Sequence, residues 1–162
     1  MKCLPSRLLS MYYRASHWPE WLAPALELGL RGYLANVFFR SGLTKIETWD
    51  STLYLFNEVY HVPLLAPTSA ALMATGAELG LSVLLVLGLF GRLAAAGLFI
   101  LNGVAVLSYA DLSQGGLNQH LSWGLLLLVL LVLSRWTWSL DTPIIARLRR
   151  PPLGNPQPRQ AS

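Results

Sequence analysis

Residues 68–90 form a long apolar segment that contains a single charged residue, Glu78, near its centre. As an α-helix this segment is about 35 Å long, which is enough to cross a lipid bilayer. A charge at the centre of a bilayer costs several kcal/mol unless it is paired, neutralised or hydrated. The segment therefore predicts a membrane helix in which Glu78 either pairs with another helix or has a function of its own.

The composition extends this prediction to the whole chain. Of the 162 residues, 54% are hydrophobic and only 12% are charged, whereas soluble domains carry roughly 25% charged residues. The net charge of +4 does not indicate a nucleic-acid partner, because the basic residues cluster outside the apolar segments. The single cysteine, Cys3, excludes an internal disulfide and a cysteine-ligated metal site. We predict a membrane protein with one domain, no metal site and no intrinsic cofactor.

Four apolar segments predict four membrane helices, over residues 24–45, 68–90, 92–110 and 117–135. Lysine and arginine residues precede the first segment, follow the fourth and mark the short second loop. In the first and third loops, by contrast, the only charged residues are acidic. By the positive-inside rule both termini face the cytoplasm. The fold class is therefore an all-α, integral membrane four-helix bundle. Residues 1–23 form a basic leader, residues 24–141 the membrane domain, and residues 142–162 a basic, proline-rich tail that is disordered from residue 151.

The first outer loop carries its own pattern. Trp49, Leu53, Phe56 and Tyr60 recur at helical spacing, which predicts a short amphipathic helix in the outer membrane interface. One interpretation is a lid that covers the bundle, and the other is a gate for a lipid-soluble ligand. The lid is favoured, because amphipathicity alone reports burial.

Polar residues from three spans fall at nearly the same depth. At 1.5 Å per residue, Asn36 and Glu78 lie about 18 Å, Asn102 about 15 Å and Arg31 about 10 Å from the cytoplasmic ends of their spans. We expect Arg31 to pair with Glu78, with Glu27 as a second carboxylate four residues before the arginine. This predicted polar network is either a device that fixes helix register or a site for a proton or a quinone head group.

Three further residues are candidates for the outer interface. Lys45 ends the first span, and His120 and Trp123 lie in the first turns of the fourth. His120 is either a capping residue or a donor to a quinone carbonyl. A haem within one chain is not expected, since no second histidine lies at a similar depth inside a span.

Several segments in order resemble the DoxX family of small bacterial membrane proteins. They include Phe-Phe-Arg-Ser-Gly-Leu-Thr-Lys at residues 38–45, Tyr-His-Val-Pro-Leu-Leu at 60–65, Ala-Glu-Leu-Gly at 77–80 and Leu-Gly-Leu-Phe-Gly-Arg-Leu-Ala-Ala at 87–95. The likeness spans roughly residues 26–141. Arg40 stands where the family pattern leads us to expect an apolar residue. The positions that carry the family motif are Arg31, Ser41, Gly42, Lys45, Glu78 and Arg92.

The resemblance implies a four-helix protein of the bacterial inner membrane that is associated with quinone-linked oxidoreductases or with complexes that handle oxidative stress. Our first hypothesis is an auxiliary or anchor subunit of such a redox complex. It would be non-catalytic or quinone-contacting at most, and it would depend on an oxidoreductase partner for electron transfer. The alternative is a non-enzymatic binder or carrier of a lipophilic small molecule. Both hypotheses leave a homo-oligomer open, and family membership alone does not choose between them.

Overall fold

The computed structural model describes residues 22–60, 62, 64–109, 111–133 and 138–148. The basic leader up to residue 21, including Cys3, and the tail from residue 149 lie outside the described residues. The described part is helical apart from an isolated bridge between Tyr60 and Tyr109, which confirms the all-α class. The helices are α1 (Leu22–Glu47), α2 (Trp49–Glu58), α3 (Pro67–Leu87), α4 (Gly91–Ser108), α5 (Gln114–Leu133) and α6 (Asp141–Leu148).

Three helices, α3, α4 and α5, are long and apolar enough to cross a membrane. Their bounds agree with the last three predicted spans to within one turn. The 26 residues of α1 form a helix about 39 Å long, but charged residues along its length keep it outside this group. The membrane character of the chain is therefore established, while the count of four spans and the orientation of the termini stay predictions.

The long helices form one bundle, in which α1 packs on α3, α3 on α4, and α4 on α5. Its core contains Leu34, Phe38, Leu85, Leu98 and Leu127, each at most 5% exposed. Because successive long helices run antiparallel, the bundle has two distinct ends. The Gly88 end holds the start of α1, the turn between α3 and α4, and α6. The Tyr60 end holds α2, Tyr60, Tyr109 and the start of α5.

The predicted amphipathic helix in the first loop is confirmed as α2. Phe56 is buried against Ala70 and Ala71 of α3, and the Thr52 hydroxyl donates to the Lys45 carbonyl of α1 at 3.1 Å. Tyr60 follows the helix, and its ring meets the edge of the Tyr109 ring at a centroid distance of 5.4 Å. Helix α2 therefore covers the end of the bundle, as the lid interpretation expects, while the gate interpretation stays untested.

The Gly88 end is closed by a turn and by the short helix α6, which the sequence did not predict. Helix α3 ends because Gly88 adopts a left-handed conformation with φ of 65°, a region that favours glycine. The Asp141 carboxylate then accepts hydrogen bonds from the backbone nitrogens of Phe90 and Gly91, at 3.0 and 3.3 Å. These bonds satisfy free donors at the start of α4, so α6 is attached to the turn by its first residue.

Candidate functional site

An ion pair between the half-buried Lys45 and the buried Glu78 joins α1 to α3 in the half of the bundle nearer the Tyr60 end. The Lys45 ammonium donates to both oxygens of the Glu78 carboxylate at 2.8 Å and to the Ser41 hydroxyl at 2.9 Å. The Ser41 hydroxyl in turn donates to Glu78 Oε1 at 3.3 Å. Glu78 is 8% exposed, so both its charge and that of Lys45 are balanced inside the protein. We call these three residues the ion-pair cluster.

The local sequence explains why the helices meet at this point. Ser41 and Lys45 are four residues apart and therefore lie on one face of α1. Between them, Gly42 faces α3 so closely that a Cβ atom would lie 2.8 Å from the Leu79 side chain and 3.3 Å from Glu78 Cβ. The missing side chain lets the two backbones approach, which brings the lysine within reach of the carboxylate.

The Glu78 carboxylate also affects Tyr60, which lies after α2 at the Tyr60 end of the bundle. Burial raises the pKa of the Tyr60 phenol, and the neighbouring Tyr109 and the Glu78 carboxylate raise it further. A negative charge opposes the loss of the phenolic proton. Tyr60 therefore stays protonated over the ion-pair cluster at neutral pH.

The expected pair between Arg31 and Glu78 is wrong. Arg31 is fully buried at the Gly88 end, where Nη2 donates to the Trp138 carbonyl at 2.6 Å and lies 3.8 Å from Glu27 Oε1. The depth estimate took residue 24 as the membrane boundary of α1. Antiparallel packing instead places Ser41 opposite Glu78, and Arg31 is ten residues, or about 15 Å, from that level.

Asn36 also lies outside the predicted network, because its side chain is on the exposed face of α1. The face of α1 that packs inward carries Arg31, Leu34, Phe38 and Gly42, and Asn36 falls on the other side of the helix. Arg92 is likewise exposed, at the start of α4. Lys45 lies in the ion-pair cluster, and its expected place at the outer interface stays a prediction.

A second polar pair joins α4 to α5. Asn102 Nδ2 donates to the His120 carbonyl at 2.9 Å, and Asn102 Oδ1 lies 2.8 Å from His120 Nδ1. Gly124 makes room for the amide, since a Cβ atom there would lie 3.2 Å from Asn102 Nδ2. Trp123 meets the edge of the His120 ring at 5.1 Å between centroids. Asn102, which we expected beside Glu78, therefore belongs with His120.

The Asn102–His120 pair lies in the wall of a groove of about 450 Å³ between α4 and α5. This volume falls in the range of small-molecule sites, about 300–1,000 Å³. Asn102 and His120 supply polar groups to a wall that is otherwise apolar, with side chains of Phe99, Val106, Leu107, Leu121, Leu125 and Leu128. Sequence reasoning did not find this groove, because it depends on how two uniformly apolar helices pack.

Within the described part of the chain, no group of three or more His, Cys, Asp and Glu side chains lies close enough together to hold a metal ion. The polar groups there can hold charge and form hydrogen bonds. The ion-pair cluster uses its groups internally, whereas the Asn102–His120 pair borders a groove that has room for a ligand.

Comparison with known proteins places the chain in a family. No curated protein and no solved structure is significantly similar to the chain. The model of the DoxX family matches residues 26–110, which is more than half of the chain. The matched region contains the ion-pair cluster and Asn102 but ends before His120. On this match, the chain belongs to the DoxX family.

Proposed function

We propose that this protein binds a lipophilic small molecule of the quinone class in the groove between α4 and α5, as an auxiliary subunit of a membrane redox complex. The observation that carries the proposal is the placement of the Asn102–His120 pair in the wall of an otherwise apolar groove. Ligand sites of this kind combine an apolar lining with a few polar groups that orient the head group.

The groove is accessible from the lipid phase. Leu107, Leu121 and Leu125 on its rim are 86%, 60% and 63% exposed, and in a bilayer these side chains contact acyl chains. A membrane-dissolved molecule therefore reaches the groove without passing through the core of the bundle. An apolar ring and tail fit the leucine-rich wall, while an oxygen on the ring meets the polar pair.

Electron transfer is assigned to a partner. Redox cofactors carry the electron chemistry in such complexes, and the protein around them supplies binding and orientation. The groove supplies binding and orientation, and the proposed oxidoreductase partner supplies the cofactors. If the partner is absent, the same groove serves the alternative function, a binder or carrier of a lipophile.

Extraction in mild detergent, followed by identification of all copurifying proteins and lipophiles, tests the assembly. A stoichiometric quinone together with an oxidoreductase supports the proposal. A stoichiometric lipophile without a redox protein supports the carrier instead. Recovery of the chain with neither contradicts both.

A pair of tryptophan variants tests the groove itself. Val106→Trp fills the groove, whereas Ile100→Trp adds the same ring on the lipid-facing surface of α4, where Ile100 is 65% exposed. We expect binding of decylubiquinone to lipid nanodiscs containing the protein to be lost in the first variant and kept in the second. Equal binding to both variants would place the ligand elsewhere.

A further inference from the structure

The hydrogen bonds between Asn102 and His120 fix the position of one proton. A carbonyl oxygen only accepts, so the atom that faces the His120 carbonyl at 2.9 Å is the amide nitrogen of Asn102. The atom 2.8 Å from His120 Nδ1 is then the amide oxygen, which also only accepts. His120 Nδ1 therefore carries a hydrogen and donates it to Asn102.

The other ring nitrogen is consequently an acceptor. His120 lines a groove whose wall is otherwise almost entirely apolar, and an additional positive charge is costly beside such a wall. A neutral imidazole with a hydrogen on Nδ1 has a lone pair on Nε2. Within the residues that the structure describes, Nε2 forms no hydrogen bond, and His120 lines the groove. A ligand that reaches Nε2 from the groove would meet a hydrogen-bond acceptor.

From this geometry we infer that the groove selects the reduced, hydroxyl-bearing form of its ligand, a quinol, over the oxidised quinone. This inference rests on the proposed function and specifies its substrate. A quinol hydroxyl donates to Nε2, whereas a quinone carbonyl presents a second acceptor to the same lone pair. The sequence had suggested His120 as a donor to a quinone carbonyl, and the bond from Nδ1 to Asn102 reverses that role.

The size of the preference follows from one hydrogen bond. A hydrogen bond gained by one ligand and replaced by two facing lone pairs in the other corresponds to about a tenfold difference in affinity. For a two-electron couple, a tenfold preference for the reduced form raises the midpoint potential of the bound pair by about 30 mV. The proposed partner would therefore meet a quinol that is held in its reduced state.

Binding measurements on the full chain in lipid nanodiscs test the inference. Under argon we expect decylubiquinol to bind about tenfold more tightly than decylubiquinone. His120→Phe should abolish the preference, while the control Ile100→Phe, which adds a ring on the lipid-facing surface of α4 outside the groove, should keep it. Equal binding of the two forms, or tighter binding of the quinone, overturns the inference but leaves the groove as a site. Failure of both forms to bind overturns the proposed function itself.

The proton position can be measured without a ligand. Of the three histidines in the chain, His17 and His61 can be replaced by glutamine, so that ¹⁵N NMR of labelled protein reports His120 alone. We expect the tautomer with hydrogen on Nδ1, and we expect Asn102→Leu to release that preference. Observation of hydrogen on Nε2 in the protein with native Asn102 would overturn the inference.

Discussion

The ion-pair cluster and the Asn102–His120 pair lie in the same half of the bundle, but they use their polar atoms differently. The Lys45 ammonium donates hydrogen bonds to Ser41 and to both oxygens of Glu78. The Nδ1 atom of the His120 ring pairs with Asn102, whereas the Nε2 atom forms no hydrogen bond within the described part of the chain. The first arrangement is complete without a ligand and holds two helices together. The second keeps an acceptor beside a groove, which is what a binding site requires.

The largest expected effect breaks the ion-pair cluster. Glu78→Leu leaves the Lys45 charge without its carboxylate. Removal of one partner of a fully buried ion pair destabilises by about 3–5 kcal/mol, and because the Lys45 side chain is 21% exposed we expect a loss at the lower end of this range. Unfolding in detergent measures this loss. The double variant Lys45→Met with Glu78→Leu removes both charges and should recover most of the stability. If the double variant is no more stable than the single one, the unpaired Lys45 charge is not the source of the loss, and the ion pair does not couple α1 to α3.

The next effect concerns the Gly88 end, which serves as the reference region for the two polar clusters. At Gly88, with φ of 65°, a Cβ atom would lie 2.5 Å from Arg31 Nη1. We expect Gly88→Ala to cost about 2 kcal/mol from the left-handed backbone alone, with the contact to Arg31 adding to it. Gly29→Ala is the matched control, since nothing lies within 4 Å of a Cβ there. Equal stability of the two variants in the same unfolding assay would contradict the tight packing of Arg31 on the turn.

A smaller effect distinguishes the contribution of the Asn102–His120 pair to stability from its contribution to ligand binding. Asn102→Leu removes the partner of both the His120 carbonyl and Nδ1, and we expect a loss of about 1–2 kcal/mol. His120→Phe leaves Asn102 without one partner but keeps a ring in place, so its stability loss should be smaller while its quinol preference disappears. If the two variants lose the same stability and bind quinol with the same preference, the Asn102–His120 pair does not differ from the ion-pair cluster in the way described above.

The smallest effect is a dependence on alkaline pH. The pKa of Tyr60 is raised above its ordinary value of 10.0 by burial, by Tyr109 and by Glu78. The folded state therefore holds the phenolic proton more tightly than the unfolded state does, and this stability is present below pH 10 and is lost as the pH rises through the folded pKa. Unfolding across that range should show a steeper alkaline loss for the native chain than for Tyr60→Phe. Parallel curves would show that the pKa of the Tyr60 phenol is not raised in the folded state.

Much of the fold was predictable because it depends on local patterns. Apolar length located α3, α4 and α5 to within one turn, and the spacing of Trp49, Leu53 and Phe56 located α2. These features follow from the helical repeat and from the thickness of a bilayer. The short helix α6 was missed, because its attachment through Asp141 depends on a turn about fifty residues earlier in the chain.

The candidate site was less predictable, because it depends on the register between helices. Arg31 and Lys45 are both cations on the inward side of α1, so charge alone does not decide which of them reaches Glu78. Gly42 was the available signal, since a glycine between Ser41 and Lys45 marks the point of closest approach. For Asn102 the comparable feature is Gly124, which makes room for its amide, but a glycine alone does not show which helix lies against it. The partner of Asn102 lies on α5, and counting from a span boundary carries an error larger than one turn.

The cap that Asp141 provides for α4 also determines when, during synthesis of the chain, the contacts at the Gly88 end can form. Phe90 and Gly91 are synthesised about fifty residues before the carboxylate that binds them, and Arg31 more than a hundred residues before the Trp138 carbonyl. The turn between α3 and α4 thus remains without these partners until α5 has been made. A deletion that removes residues from 138 onward leaves α5 whole, yet takes acceptors away from helices much earlier in the chain.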